Sequence, residues 1–147
     1  MEAIADSPAA FGSSLEEIKA RPNEYWSNRV ASAAAGADNV LFAAEAFSSW
    51  VGIAGAYTEG KTGNTNPQLI AMWVHPAVRR KGIARRLVKR VVDWARQQGA
   101  SQVALWVTEG NASARSLYNS CGFVESGERK TVPSHSELSE LEMVLKL

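Results

Sequence analysis

The stretch from Leu69 to Arg90 constrains this chain more than any other. It begins with an unbroken apolar run, Leu69-Ile70-Ala71-Met72-Trp73-Val74, that ends at His75-Pro76. The run is far shorter than the roughly 20 residues of a membrane span, so it reads as a buried strand. Beyond a basic turn, Ile83, Ala84, Leu87, Val88, Val91, Val92 and Ala95 recur at the spacing of one helical face, and Gly99 closes the helix at a C′ position. A helix that opens directly after a buried strand points its unpaired N–H groups at whatever lies above the strand end. Those donors and the positive end of the helix dipole form an anion site, and Gly82 removes the side chain that would keep a phosphate at a distance. Arg79, Arg80 and Lys81 add charge around it. Spacing excludes two other phosphate-binding loops. There is no Gly-x-x-x-x-Gly-Lys-Ser/Thr, and one glycine stands where a dinucleotide-binding turn needs three.

Charge supports a compact anionic ligand. The net charge is only +1, but residues 79–96 hold eight of the 16 Lys and Arg and one of the 15 Asp and Glu, which leaves the remainder acidic. Arg85, Arg86, Lys89, Arg90 and Arg96 fall off the apolar stripe, so a solvated helix face accounts equally well for the later members of this cluster. The 147 residues, 46% of them hydrophobic, suit one domain over 1–147 with a sizeable core. The single cysteine, Cys121, excludes a disulfide framework and a cysteine-based metal site, and no His/Cys/Asp cluster has ligand spacing. Without a signal pattern or a run of membrane-spanning length, the expectation is a cytoplasmic protein that works away from membranes.

Taken in order, Pro8 to Ser13 reads as a turn, and Ser14-Leu15-Glu16-Glu17 as a capping box opening a helix that ends near Arg21. Pro22 starts a second helix, whose Trp26, Val30 and Ala33 share a face before Gly36 stops it. Val40 to Phe47 and Trp50 to Tyr57 form a hairpin across Ser48-Ser49, and a Gly/Asn/Thr-rich loop follows to Pro67. After the central strand and helix, Gln102 to Val107 is a second buried strand, making a right-handed βαβ unit with a parallel pair. Asn111 caps a short helix, Ala112 to Ser120, closed by Gly122. Phe123 to Glu128 and Leu138 to Leu147 are strands flanking a polar loop, Arg129 to Glu137. The fold class is α/β, a mostly antiparallel sheet with one parallel pair.

Two separated motifs resemble one family. Arg79-x-x-Gly82-x-Ala84 is similar to the pyrophosphate loop of the GNAT superfamily of acyl-CoA-dependent N-acyltransferases. Asn111-x-x-Ala114-x-x-x-Tyr118, followed by Gly122-Phe123, resembles the other half of its signature, about 25–30 residues on, where one helix and one strand fit between. Pro8 to Ser14 also resembles the acceptor-side loop of many members. The resemblance implies acetyl-CoA as cosubstrate, its pantetheine arm lying in the splay between the parallel strands. Backbone groups of Met72, Trp73 and Val74 would pair with its amides. The loop from Arg79 to Arg85, including Gly82, Ile83 and Ala84, would take the pyrophosphate, and Asn111, Ala114 and Tyr118 would line the far side.

The same resemblance implies direct attack of an amine on the thioester, with Tyr118 as the acid that protonates the thiolate. Many relatives have Glu where this chain has Gln68, so the base is open among Glu109 (the first choice), Glu45, Glu59, His75, His135 and a water relay. Trp26 and Trp50 are candidates to shape an apolar acceptor pocket. Cys121, Trp73, Trp94 and Trp106 read as packing. The expected acceptor is a primary amine of a small molecule or protein. A catalytically silent acyl-CoA-binding module is the alternative, and the acidic remainder counts against a nucleic-acid partner. Members usually begin with a strand ahead of the Pro8 to Ser14 loop, and Met1 to Ser7 is too short to supply it. The edge at Val40 to Phe47 is then expected to be open or covered by another molecule, as in a homodimer.

Overall fold

Strand alternation and helical periodicity resolve into a six-stranded sheet with helices on both sides, in a computed structural model that describes residues 2–6, 15–35, 38–58, 66–132 and 135–147. The expected turn at 8–13, the cap at 14, the helix stop at 36 and most of the loop at 59–67 lie outside the described residues. Three helices come first: α1 (Glu2–Asp6), α2 (Leu15–Ala20) and α3 (Asn23–Ala35). The hairpin β1 (Asn39–Ala46) and β2 (Ser49–Thr58) precedes β3 (Pro67–Val74), α4 (Ile83–Gln97) and β4 (Gln102–Thr108). The short helix α5 (Ala112–Ser120) leads into the hairpin β5 (Val124–Val132) and β6 (His135–Lys146). The sheet order is β1-β2-β3-β4-β6-β5, with β3 and β4 the parallel pair and every other neighbour antiparallel. Among the described residues no strand pairs with the outer edge of β1.

Period-two alternation divides the sheet into two faces. Ala56 pairs with Leu69, Leu105 with Met143 and Val107 with Leu141, and all of these are buried on the side that α4 covers. The stripe of α4 settles there as its spacing dictates, with Leu87, Val88, Val91, Val92 and Ala95 buried. Gly52 allows the close approach, because a Cβ there would sit 3.2 Å from Leu87 Cδ1 and 3.1 Å from the Trp73 carbonyl oxygen. The opposite face carries Leu41, Tyr57, Gln68, Ile70, Trp106, Thr108 and Glu140, and α2 and α3 stand over it.

Three expectations about elements need correction. The first hairpin turns at Phe47-Ser48, one residue earlier than the pattern suggested, with both residues at positive φ (53° and 57°). That conformation matches a primed two-residue turn, whose twist suits the flanking strands, and it leaves Phe47 93% exposed. The polar stretch 129–137 is largely strand. Arg129 pairs with Leu141 and Lys130 with Glu140, so cross-strand pairing holds a segment that has no apolar alternation. Finally, Val30 is 61% exposed, so α3 buries a narrower face than Trp26, Val30 and Ala33 together would give.

Candidate active site

The two parallel strands barely touch. Their pairing is confined to Gln68 opposite Ala104, and the strands part toward their carboxyl ends. A bulge in β3 widens the departure: its register against β2 jumps from Ile70–Gly55 to Trp73–Ile53, and Ala71 takes a left-handed φ of 53°. For a non-glycine residue that conformation costs about 1–2 kcal/mol, and such backbone strain concentrates at functional sites. A cavity of about 1080 Å³ occupies the parting. Ile70, Ala71 and Met72 of β3 line one side, and Trp106, Val107 and Thr108 of β4 the other. Asn111, Ala114 and Tyr118 of α5 close one end, while Ile18, Lys19, Arg21, Tyr25, Trp26 and Arg29 of the α2–α3 region roof the other.

The helix start after β3 is built as its glycine implied. Gly82 sits at φ 77° as the cap of α4, with no side-chain hydrogen bond to the first turn, and a Cβ there would meet nothing within 4 Å. The first helical backbone bond runs from the Arg86 N–H to the Gly82 carbonyl at 3.1 Å, so the N–H groups of Ile83, Ala84 and Arg85 point out of the helix end. Arg80 is also left-handed (φ 63°), and its side chain and that of Lys81 are exposed beside this opening. Such a terminus is a ready site for phosphate oxygens. It adjoins the carboxyl end of β3 and does not itself line the cavity.

Arg79 is already engaged. Its Nε donates to the Val74 carbonyl at 2.9 Å, and its Nη2 bonds and ion-pairs with Asp6 of α1. The same carboxylate oxygen accepts from the Trp73 indole at 2.9 Å. Arg79 therefore clamps the end of β3 to α1. Arg85 donates to the Ser120 hydroxyl at 3.2 Å, tying the first turn of α4 to the end of α5. Farther along α4, Lys89 and Arg96 pair with Asp93 at 2.7 and 3.6 Å, and Arg90 lies over the Phe42 ring at 5.4 Å, so the later basic residues serve the helix surface.

In α5, Asn111 Oδ1 accepts from the Ala114 N–H at 3.1 Å, the cap its position predicted. Tyr118 is 94% buried, lies against Phe123 at 5.8 Å between ring centroids, and still borders the cavity. Burial pushes its phenol well above the ordinary value of 10, with the neighbouring Cys121 a further contribution. Burial thus favours the protonated phenol and makes it a weaker acid than a free one. Cys121 caps α5 at its C-terminus and is half-buried.

The expected bases fare differently. Glu109 does not line the cavity; its Oε1 accepts from Arg129 Nε at 2.8 Å, in a surface network that also joins Arg115 and Glu125. His75 spends its Nδ1 accepting from the Ala77 N–H at 3.2 Å, which makes it a turn residue. Glu45 is exposed on β1, while Glu59 and the side chain of His135 lie outside the described residues. Trp26 lines the cavity; Trp50 is 67% exposed near the β1–β2 turn and does not. Several lining residues were missed, among them Lys19, Arg21, Tyr25 and Arg29 of the α2–α3 region and Lys130 and Glu140 of the last hairpin. Glu140 is the one carboxylate among the described lining residues, and Lys130 Nζ lies 3.4 Å from its Oε2 and 4.1 Å from the centroid of the Trp106 ring. Lys130 and Glu140 face each other because the β5–β6 pairing runs through them.

The sequence profile of the acetyltransferase (GNAT) family matches residues 3–123. The chain belongs to that family. Over 125 residues it is 33% identical to a mycothiol acetyltransferase of Thermobispora bispora, covering 82% of this chain and 39% of that one. Over 61 residues it is 43% identical to human N-acetyltransferase 8, covering 42% of this chain and 27% of that one. The chain thus spans well under half the length of these two curated relatives. A Salmonella typhimurium protein solved with its cofactor acetyl-CoA shares the fold at a TM-score of 0.69 and 24% identity, over 82% of this chain and 73% of that one. The GNAT motifs quoted from the sequence fall where this geometry is: the loop at the start of α4 and the cap and tyrosine of α5. No helix is long and apolar enough to cross a membrane, among the described residues.

Proposed function

We propose that this chain transfers an acetyl group from acetyl-CoA to a primary amine of a small molecule or protein, by direct attack in a ternary complex. The carrying observation is the parting of β3 from β4 around a cavity with two arms, one ending at Tyr118 and the other under α2 and α3. A thioester arm laid in the parting as a surrogate strand would meet backbone groups of Met72, Trp73 and Val74, which β4 leaves unpaired. Its pyrophosphate would take the N–H groups at the start of α4, with Gly82 leaving room and Arg80 and Lys81 adding charge.

The amine nitrogen forms a bond to the thioester carbonyl carbon, and the C–S bond breaks. Tyr118 borders the cavity and donates its phenolic proton to the departing sulfur. The amine arrives as an ammonium and sheds one proton through water in the cavity before it attacks; the second proton, lost as the amide forms, returns through water to the Tyr118 phenolate. Glu109, held by Arg129, is not the base in this scheme.

Release of free CoA thiol from acetyl-CoA, measured across a panel of amines, tests the reading. Amine-dependent release supports it. Acetyl-CoA binding with no release for any amine would leave an acyl-CoA-binding module instead.

A further inference from the structure

Helix α3 stands off the sheet that it covers. Trp26, Val30 and Ala33 share a face by their spacing, yet Val30 is 61% exposed, and Leu41 of β1 is 46% exposed. Between helix and sheet lies a second cavity of about 560 Å³, with Val30 and Ala33 on the helix side and Leu41, Gly55 and Ile70 on the sheet side. Gly55 pairs with both Leu41 and Ile70, and a Cβ there would sit 3.4 Å from Leu41 Cδ1 and 3.6 Å from Ile70 Cγ1. Any longer side chain at that position would rise into the groove. At its outer end Asn39 Nδ2 donates to Ser32 Oγ at 2.6 Å and ties α3 to the start of β1. Apolar helix and strand surface held apart in this way gains about 25 cal/mol per Å² once an apolar group covers it.

The groove adjoins the main cavity, since Trp26, Arg29, Leu41, Tyr57, Ile70 and Ala71 line both. Ala71 is the left-handed residue of the β3 bulge and directly precedes Met72, where the thioester arm would lie. An amine presented at that bulge has the groove beside it. We propose that the groove under α3 receives the apolar arm of the acceptor, so that the acceptor is a primary amine carrying an extended alkyl chain. The inference rests on the acetyltransferase reading and deepens it. A compact polar amine would leave the groove to water.

The test compares butylamine, hexylamine and octylamine, which share one ammonium and differ only in apolar length. Calorimetric binding in the presence of CoA and thiol release from acetyl-CoA are both read. Affinity is expected to rise about threefold per added methylene. Ala33→Phe fills the groove from the helix side and should cut the octylamine-to-butylamine ratio at least about tenfold. Val30→Asn makes an exposed wall position polar without a fold to lose, and should cut it about threefold. Melting temperatures check that both variants fold. Affinity that is flat or falls with length overturns the inference, even if butylamine is acetylated efficiently. So does a ratio unchanged in both variants, or failure of all three amines to bind. If sedimentation shows a dimer that Ala33→Phe dissociates, a second copy covers the groove and the inference falls. Length-dependent binding that both variants weaken, without thiol release, would support the groove while refuting acetyl transfer.

Discussion

The cavity arm toward α5, with the helix start beside it, and the arm under α2 and α3 are fixed by different parts of the polypeptide. Around β3, α4, β4 and α5 the geometry is made by backbone: a bulge at Ala71, outward N–H groups after Gly82, and a side-chain cap at Asn111 that sets where α5 begins. Under α2 and α3 it is made by side chains, with Arg21 on Tyr25 and Lys130 between Glu140 and Trp106. Backbone devices need particular residues at particular spacings, because few residues tolerate left-handed φ or cap a helix. Side-chain walls accept many sequences. On the proposed function, the first arm would serve one invariant carrier and the second would distinguish acceptors.

The largest effect is expected from breaking the backbone arm. Gly82→Glu places a carboxylate and a side chain where phosphate oxygens would lie, and should lower acetyl-CoA affinity beyond detection by calorimetry. Gly82→Ala is the sharpening control. It adds the left-handed backbone cost, about 1–2 kcal/mol, without the charge. If the alanine variant loses binding as completely as the glutamate, strain explains the loss and the cradle does not.

Tyr118→Phe should lower kcat by about ten- to a thousand-fold with acetyl-CoA affinity nearly unchanged, since only the transition state needs the proton. An unchanged rate constant in single-turnover kinetics would make Tyr118 a packing residue. Its raised pKa also sets a direction for stability. The unfolded chain sheds the phenolic proton above about pH 10, while the buried phenol keeps it. The unfolded state then holds fewer protons, so stability falls as pH rises past that value, by up to about 1.4 kcal/mol per pH unit from this group. Denaturant midpoints between pH 8 and 11 measure it, and the phenylalanine variant should lack that share of the decline.

Asp6 of α1 anchors the end of β3, because its carboxylate holds both Trp73 and Arg79. Asp6→Ala strands a buried indole N–H and should cost about 1–3 kcal/mol of stability by denaturation. It should also raise KM for acetyl-CoA more than it lowers kcat, as the loop after β3 loses its anchor. The smallest effect belongs to Glu109→Gln. An exposed pair with Arg129 is worth about 0.2–1 kcal/mol, and kcat should move less than twofold. A large loss in kcat would restore Glu109 as the base.

The same division explains what could be read from the sequence. Gly82, Asn111, Gly122 and the stripe of α4 each carry a local signal, and the structure has them at the expected termini and face. Glu140 and Lys130 carry none. They enter the cavity only because β5 pairs with β6 through a charged segment, and cross-strand register is a long-range property. Glu109 shows a related limit: its place at a strand end was legible, whereas its partner Arg129, twenty residues away, was not. Arg79 matched the loop pattern, yet Asp6, 73 residues distant, holds its side chain.

Amide hydrogen exchange with and without acetyl-CoA tests the central claim most directly, because it reads the backbone arm amide by amide. The account predicts slowed exchange on binding at Met72 to Val74 and at Gly82 to Arg85, with β1 and the β1–β2 turn unchanged. Protection that leaves both of those segments unaffected would contradict it.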